Sequence, residues 1–159
     1  NNFFIQIITN IGGTSADMGN AVFVAAMLEL PTMAFFTKMS EKINCGTLIK
    51  FSILMFCVKH ALTYFATNMI MIYLAQVYQM FAYALFVPAS VYYVNEKIAV
   101  ADRVKGQSLV TTSMTLSGVF ANFAGGIMLD ALGVGHVLLA GVILSIVGAV
   151  IVILTTEKV

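Results

Sequence analysis

Charge is what this sequence has least of. Of its 159 residues only 9% are Asp, Glu, Lys or Arg, while 60% are hydrophobic. A water-soluble domain needs about 25% charged residues to cover its surface, so a soluble globular fold is excluded. The net charge is +1, which leaves no basic face for nucleic acid. Cys45 and Cys57 are the two cysteines, too few for a disulfide framework or a thiolate zinc site. No Ser/His/Asp set, HExxH-type metal motif or phosphate loop occurs, so no enzymatic activity, cofactor or metal site is expected. A cleavable signal pattern is missing too. The chain opens on Asn1-Asn2 rather than methionine, and it is expected to be a piece of something longer.

What the sequence does have is long runs without charge. Residues 60–95 carry no Asp, Glu, Lys or Arg, too long for one membrane helix of roughly 20 residues, and the natural break is Ala66-Thr67-Asn68. Residues 18–28 (continuing past Glu29 to Thr37), 106–129 and 131–156 are the other runs. The pattern predicts an all-α, polytopic membrane helical bundle with spans at 17–37, 47–66, 69–94, 107–129 and 134–155. Residues 1–12, with FFIQIITNI at 3–11, are too short to cross and read as the end of a preceding span.

The basic residues orient these spans. Lys38, Lys42 and Lys50 flank one loop, Lys97, Arg103 and Lys105 another, and Lys158 lies in the tail. All seven fall on one side when five spans alternate. The opposite loops, around Asp17, Thr67-Asn68 and 130–136, contain none. Basic residues accumulate in cytoplasmic loops, so a multi-pass protein of the cell (inner or plasma) membrane with a cytoplasmic C-terminus is expected.

The eighth basic residue, Lys59, has no aqueous loop to sit in. It lies nine residues past Lys50, and Glu29 lies nine before Lys38. At about 1.5 Å rise per residue, both are roughly 13 Å from the cytoplasmic edge, near the middle of a hydrocarbon layer about 30 Å thick. An unpaired charge there costs at least about 2.5–3.5 kcal/mol. Either the two pair directly or they face one water-filled cavity. Gln79, roughly 15 Å in from the outer end of its span, reaches the same level. Gln76, Gln79 and Tyr83 stand at i, i+3 and i+7, one helix face, with Tyr73 extending it outward. Amides and phenols donate and accept without fixed charge, which suits polar solutes. A register-fixing pair is the alternative for Glu29 and Lys59, and interhelical hydrogen bonding the alternative for the other three.

Small residues recur every fourth position as Ser113, Ser117, Ala121 and Gly125, and again as Gly141, Ser145 and Ala149; both stripes are expected to bring helices close. Pro31 and Pro88 sit inside spans as candidate bends. His60 is expected to serve packing, His136 to be solvated, and Cys57 to be a core residue.

The order of these features resembles the C-terminal six-helix half of a major facilitator superfamily transporter: the end of helix seven, from Asn2-Phe3-Phe4, followed by helices eight to twelve. AAMLELPTMAFF (25–36) and FCVKHAL (56–62) are similar to helices eight and nine of lactose permease-like oligosaccharide or nucleoside:proton symporters. Glu29 stands where that family has its sugar-binding and coupling glutamate, and Lys59 at its buried arginine. KMSEKIN (38–44) resembles the superfamily's cytoplasmic signature, Glu41-Lys42 standing for the acid–base pair and Asn44 for a turn glycine. DRVKGQ (102–107) and GGIMLDALG (125–133) are also similar to superfamily phrases. Three positions depart. Gln79 stands at the helix-ten histidine, Gln76 at a lysine and Ala82 at a coupling glutamate, leaving Glu29 as the only carboxylate at this depth.

The resemblance implies secondary active transport of a small polar solute, a sugar or nucleoside, coupled to protons or another cation and working by alternating access. Glu29 and Lys59 would bind and couple, and Gln76, Gln79 and Tyr83 would line the cavity. Glu41, Lys42, Asp102 and Arg103 would latch the cytoplasmic end, their alternative being topology charges that snorkel. Expected partners are the lipid bilayer, the solute and its coupling ion, and the missing N-terminal half. Two alternatives stand beside this: a drug or aromatic-acid transporter of the same superfamily, and a membrane structural or assembly partner that transports nothing.

Overall fold

A computed structural model describes residues 3–157; Asn1, Asn2 and the Lys158 of the topology argument lie outside that range. The chain is all-α. Helices α1 (Phe4–Asn10), α2 (Ser15–Ser40), α3 (Cys45–Tyr64), α4 (Met69–Val77), α5 (Gln79–Lys97), α6 (Arg103–Leu132) and α7 (Val134–Thr155) follow one another, with a short 3₁₀ turn at Val100–Asp102. Among the described residues five helical stretches are long and apolar enough to cross a membrane, α4 and α5 together forming one.

Polar caps set the boundaries. Thr14 and Asp17 form a capping box at the start of α2: the Thr14 backbone N–H donates to Asp17 Oδ2 at 2.8 Å, and the Asp17 N–H to Thr14 Oγ1 at 3.3 Å. Asn44 accepts from the Thr47 N–H at 2.9 Å to open α3, and Asn68 from the Met71 N–H at 3.1 Å to open α4. Each cap satisfies an otherwise orphaned donor at a helix start. Gly133, at φ 81°, makes the sharp reversal from α6 to α7, a left-handed conformation that favours glycine.

Helix α3 is central, packing against α5 and α7, while α2 packs against α5 and α4. Two apolar clusters stabilise the bundle. Phe36, Cys45, Leu48, Ile49, Leu85 and Ala89 form one, and Phe4, Ile8, Ala21 and Ile72 the other. Many of the most buried positions are small: Ala21, Ser52, Ala75, Ala82, Ala84 and Ala89 are fully enclosed. Helices in lipid associate by close backbone packing rather than by hydrophobic drive. Ala89→Leu is accordingly expected to overpack the α3–α5 contact, at a cost of about 1–3 kcal/mol. Thermal unfolding in detergent should show the loss, and the lipid-facing Val150→Leu should not.

Two expectations change. The span at 69–94 is not one regular helix. It breaks at Tyr78, which stays near helical at φ −66°, ψ −15°, and the next turn tightens, the Phe81 N–H donating to the Tyr78 carbonyl at 3.1 Å. This is a 3₁₀-like irregularity with neither Gly nor Pro to announce it. Pro31 and Pro88, by contrast, lie within unbroken helices. The second change concerns the stripe on α6. Ser113, Ser117 and Ala121 are exposed, and the two serine hydroxyls donate back to Leu109 and Ser113 carbonyls at 2.8 and 2.7 Å. Only Gly125 is covered, by the Phe3 ring, which a Cβ there would meet at 2.7 Å. The α7 stripe is covered in part: Ala149 is buried and the Ser145 carbonyl accepts from the Cys57 thiol at 3.2 Å, while a Cβ at Gly141 would meet nothing within 4 Å.

Candidate functional site

Glu29 lies in the middle of α2, Lys59 in the second half of α3, Gln76 near the end of α4, and Gln79 and Tyr83 at the start of α5. The packed helices bring these positions together, and all five side chains line a single cavity of about 480 Å³. Of the two arrangements open to Glu29 and Lys59, the shared cavity is the one present. Among the described residues the ion pairs are Lys97–Glu157 and Lys105–Asp102, with none between Glu29 and Lys59. Lys59 Nζ instead donates to Gln79 Oε1.

That bond decides what the cavity offers. With its carbonyl oxygen taken by Lys59, the Gln79 amide keeps its NH₂ group as a donor, and the lysine retains further donors of its own. Glu29 presents acceptors only when ionised. Gln76, at 6% exposure, is the most enclosed of the five, and Tyr83, at 40%, stands at the rim. The Gln79 side chain belongs to the first residue after the break at Tyr78, so the irregular turn and the lysine contact meet at one point.

The rest of the lining is apolar. Phe4, Val22, Ala25, Ala26 and Phe56 also line the cavity, and sequence reasoning did not single them out. The signal was available: Val22, Ala25 and Ala26 precede Glu29 by seven, four and three residues, and Phe56 precedes Lys59 by three, all same-face spacings. His60 stacks on Phe56, with ring centroids 6.3 Å apart, and its Nδ1 is buried without a partner. Tyr73 packs instead against the Phe4–Ile72 cluster. His136 is exposed, with Nδ1 2.8 Å from the Leu132 carbonyl. Among the described residues no cluster of His, Cys, Asp or Glu suits a metal ion.

The four loop residues are not brought together. Glu41 and Lys42 are exposed at the end of α2. Asp102 accepts from Lys105 at 2.7 Å within its own turn, a neighbour three residues away that needs no second loop. Arg103, half-buried, opens α6. On the same side of the bundle another contact ties the chain end to α5: Lys97 pairs with Glu157, whose backbone N–H donates to the Tyr93 hydroxyl at 3.3 Å. The adjacent ammonium holds the Glu157 carboxyl below its ordinary value. A depressed pKa gives stability that is present above the unfolded value, about 4.3, and lost as pH falls through the folded one. The end of α7 is therefore expected to stay docked from pH 8 to pH 5 and to loosen only in stronger acid. Hydrogen exchange at residues 153–157 checks this, and Glu157→Gln should abolish the acid-dependent step.

A model of the Major Facilitator Superfamily matches the chain over residues 1–159. Comparison with individual curated proteins and with solved structures gave no match.

Proposed function

This chain belongs to the major facilitator superfamily, and from that premise we propose that it moves a small polar solute, a sugar or a nucleoside, by cation-coupled alternating access. It is a multi-pass membrane transporter of that superfamily; the solute, the coupling and the orientation are the proposal. The observation that carries it is the cavity on which Glu29, Lys59, Gln76, Gln79 and Tyr83 converge. Substrate sites of such transporters lie near the bilayer midplane between two repeats, and a second, N-terminal half would close the open side of this one.

In this reading Glu29 accepts hydroxyl donors of the solute and carries the coupling proton. Lys59 is its counter-charge across the cavity, held away by Gln79 until solute or proton alters the balance. Gln76 and Tyr83 supply neutral hydrogen bonds. Phe56 and Phe4 take the apolar face of a ring, as aromatic walls do in sites that fix orientation with a few polar groups. Glu41, Lys42, Asp102 and Arg103 lie at the cytoplasmic end, and their latch would form in a state other than this one.

The test is uptake by the full-length parent in membrane vesicles, using a panel of labelled sugars and nucleosides with and without an imposed pH gradient. One of them should accumulate, and only with the gradient. Accumulation of none, or equal uptake without the gradient, would remove the coupled-solute reading. The apolar wall favours a second reading, an amphipathic drug or aromatic acid. Competition separates the two: sugars should displace one another, and lipophilic cations should not displace them.

A further inference from the structure

We infer that the cytoplasmic-side cleft between the end of α5 and the start of α6 is an anion site, shaped for a phosphate group and anchored by Arg103. A cavity of about 480 Å³ lies there, lined by Asn95, Arg103, Gln107, Ser108, Thr111 and Thr112 beside Val104. It is separate from the midplane cavity and shares no residue with it.

The lining is one permanent cation, two amides, three hydroxyls and no carboxylate. Arg103 has no partner to neutralise it. Its Nε is buried without an acceptor, and among the described residues no ion pair reaches it. Asp102, the nearest acid in sequence, is engaged by Lys105 at 2.7 Å. A buried guanidinium N–H left unmet costs the full desolvation of that donor, so the side chain is held for an acceptor that comes from outside these helices. The hydroxyls point the same way. Further along α6, Ser113, Thr115 and Ser117 donate to carbonyls of their own helix at 2.7 to 3.0 Å. Among the described residues Ser108, Thr111 and Thr112 make no such bond and keep their donors. Gln107 spends one amide hydrogen on the Val91 carbonyl at 2.9 Å, which fixes its side chain across the α5–α6 gap, and keeps the other.

A planar fork of donors ringed by neutral donors suits a tetrahedral oxyanion. Two sources supply that chemistry at a membrane surface: the phosphodiester of an anionic lipid headgroup, and a free phosphate. The inference does not depend on what the midplane cavity transports.

Purified full-length protein in detergent is titrated with inorganic phosphate, with sodium chloride at equal ionic strength as the control, and its thermal unfolding midpoint is followed. In parallel it is reconstituted with phosphatidylglycerol or with phosphatidylcholine, and lipid retained on release is counted by native mass spectrometry. At least one probe is expected to act: phosphate raising the midpoint beyond chloride marks a soluble anion, and selective retention of phosphatidylglycerol marks the headgroup. Arg103→Gln should weaken the effective probe at least about tenfold, as loss of a charge-assisted bond does. Lys38→Gln, which removes an exposed charge on another helix, should leave it within about twofold, as exposed charges contribute little. Where Arg103→Gln does not fold, Thr111→Val with Thr112→Val replaces it and should weaken binding severalfold. Equal loss in the Lys38 and Arg103 variants would reduce the site to surface charge and overturn the inference. So would the failure of both probes.

Discussion

Glu29→Gln in the full-length parent is expected to cut gradient-driven uptake of the transported solute by about 10- to 100-fold, while the protein still reaches the membrane. The substitution keeps the shape and removes the charge. A hydrogen bond to a charged group contributes about 1.5–3 kcal/mol, and each 1.4 kcal/mol is a factor of ten. Among the described residues Glu29 is the one carboxylate lining the cavity, beside four other polar side chains. The loss should be greatest with the pH gradient imposed. Downhill exchange of solute, which needs binding but no net proton movement, should suffer less. Unchanged accumulation in Glu29→Gln would end the coupling role, whatever the cavity binds.

Lys59→Met is expected to act on stability as well as on transport, and in a way that Glu29→Gln alone does not explain. The carboxylate and the ammonium line one cavity without forming an ion pair. Removing the lysine leaves Glu29 without its counter-charge, at a cost of the order of the 2.5–3.5 kcal/mol of an unpaired charge in the membrane, and it releases Gln79 as well. The double variant Glu29→Gln with Lys59→Met should therefore be more stable than Lys59→Met, with a coupling between the sites of about 1–3 kcal/mol. Its uptake should remain lost. Thermal unfolding of the four proteins, together with vesicle uptake, gives both answers. Recovery of stability with no flux in any of the four, the unsubstituted parent included, would favour a structural membrane partner over a transporter.

The spans were legible because lipid excludes charge. Runs such as 60–95 and 131–156 carry no Asp, Glu, Lys or Arg and have few explanations outside a bilayer. The polar half of the cavity was legible for the converse reason, since Glu29 and Lys59 stand out against such runs and their spacing from Lys38 and Lys50 fixes their depth. The apolar half was harder to see. Phe56 and Val22 are ordinary residues of a membrane helix, and only their register with the two charges marks them. The break at Tyr78 left no mark at all: Gln76, Val77, Tyr78 and Gln79 include no glycine or proline. The small-residue stripes misled in one case of two. Ser113, Ser117 and Ala121 on α6 repeat as regularly as Gly141, Ser145 and Ala149 on α7, yet only the second stripe is reached by another helix of this chain, at Ser145, and even there Gly141 stays open. Spacing shows that a backbone can be approached closely; it does not say by what.

Whether Glu29 and Lys59 open onto water rather than lipid is the point on which the account rests. Single cysteines at Gln79 and Tyr83, introduced in the full-length protein with Cys45 and Cys57 replaced by serine, report it directly when treated with a charged, membrane-impermeant thiol reagent. Both positions should react, and saturating transported solute should slow the reaction at least several-fold. Reaction only with a lipid-soluble reagent, and no protection by any solute, would place these side chains against acyl chains and contradict the account.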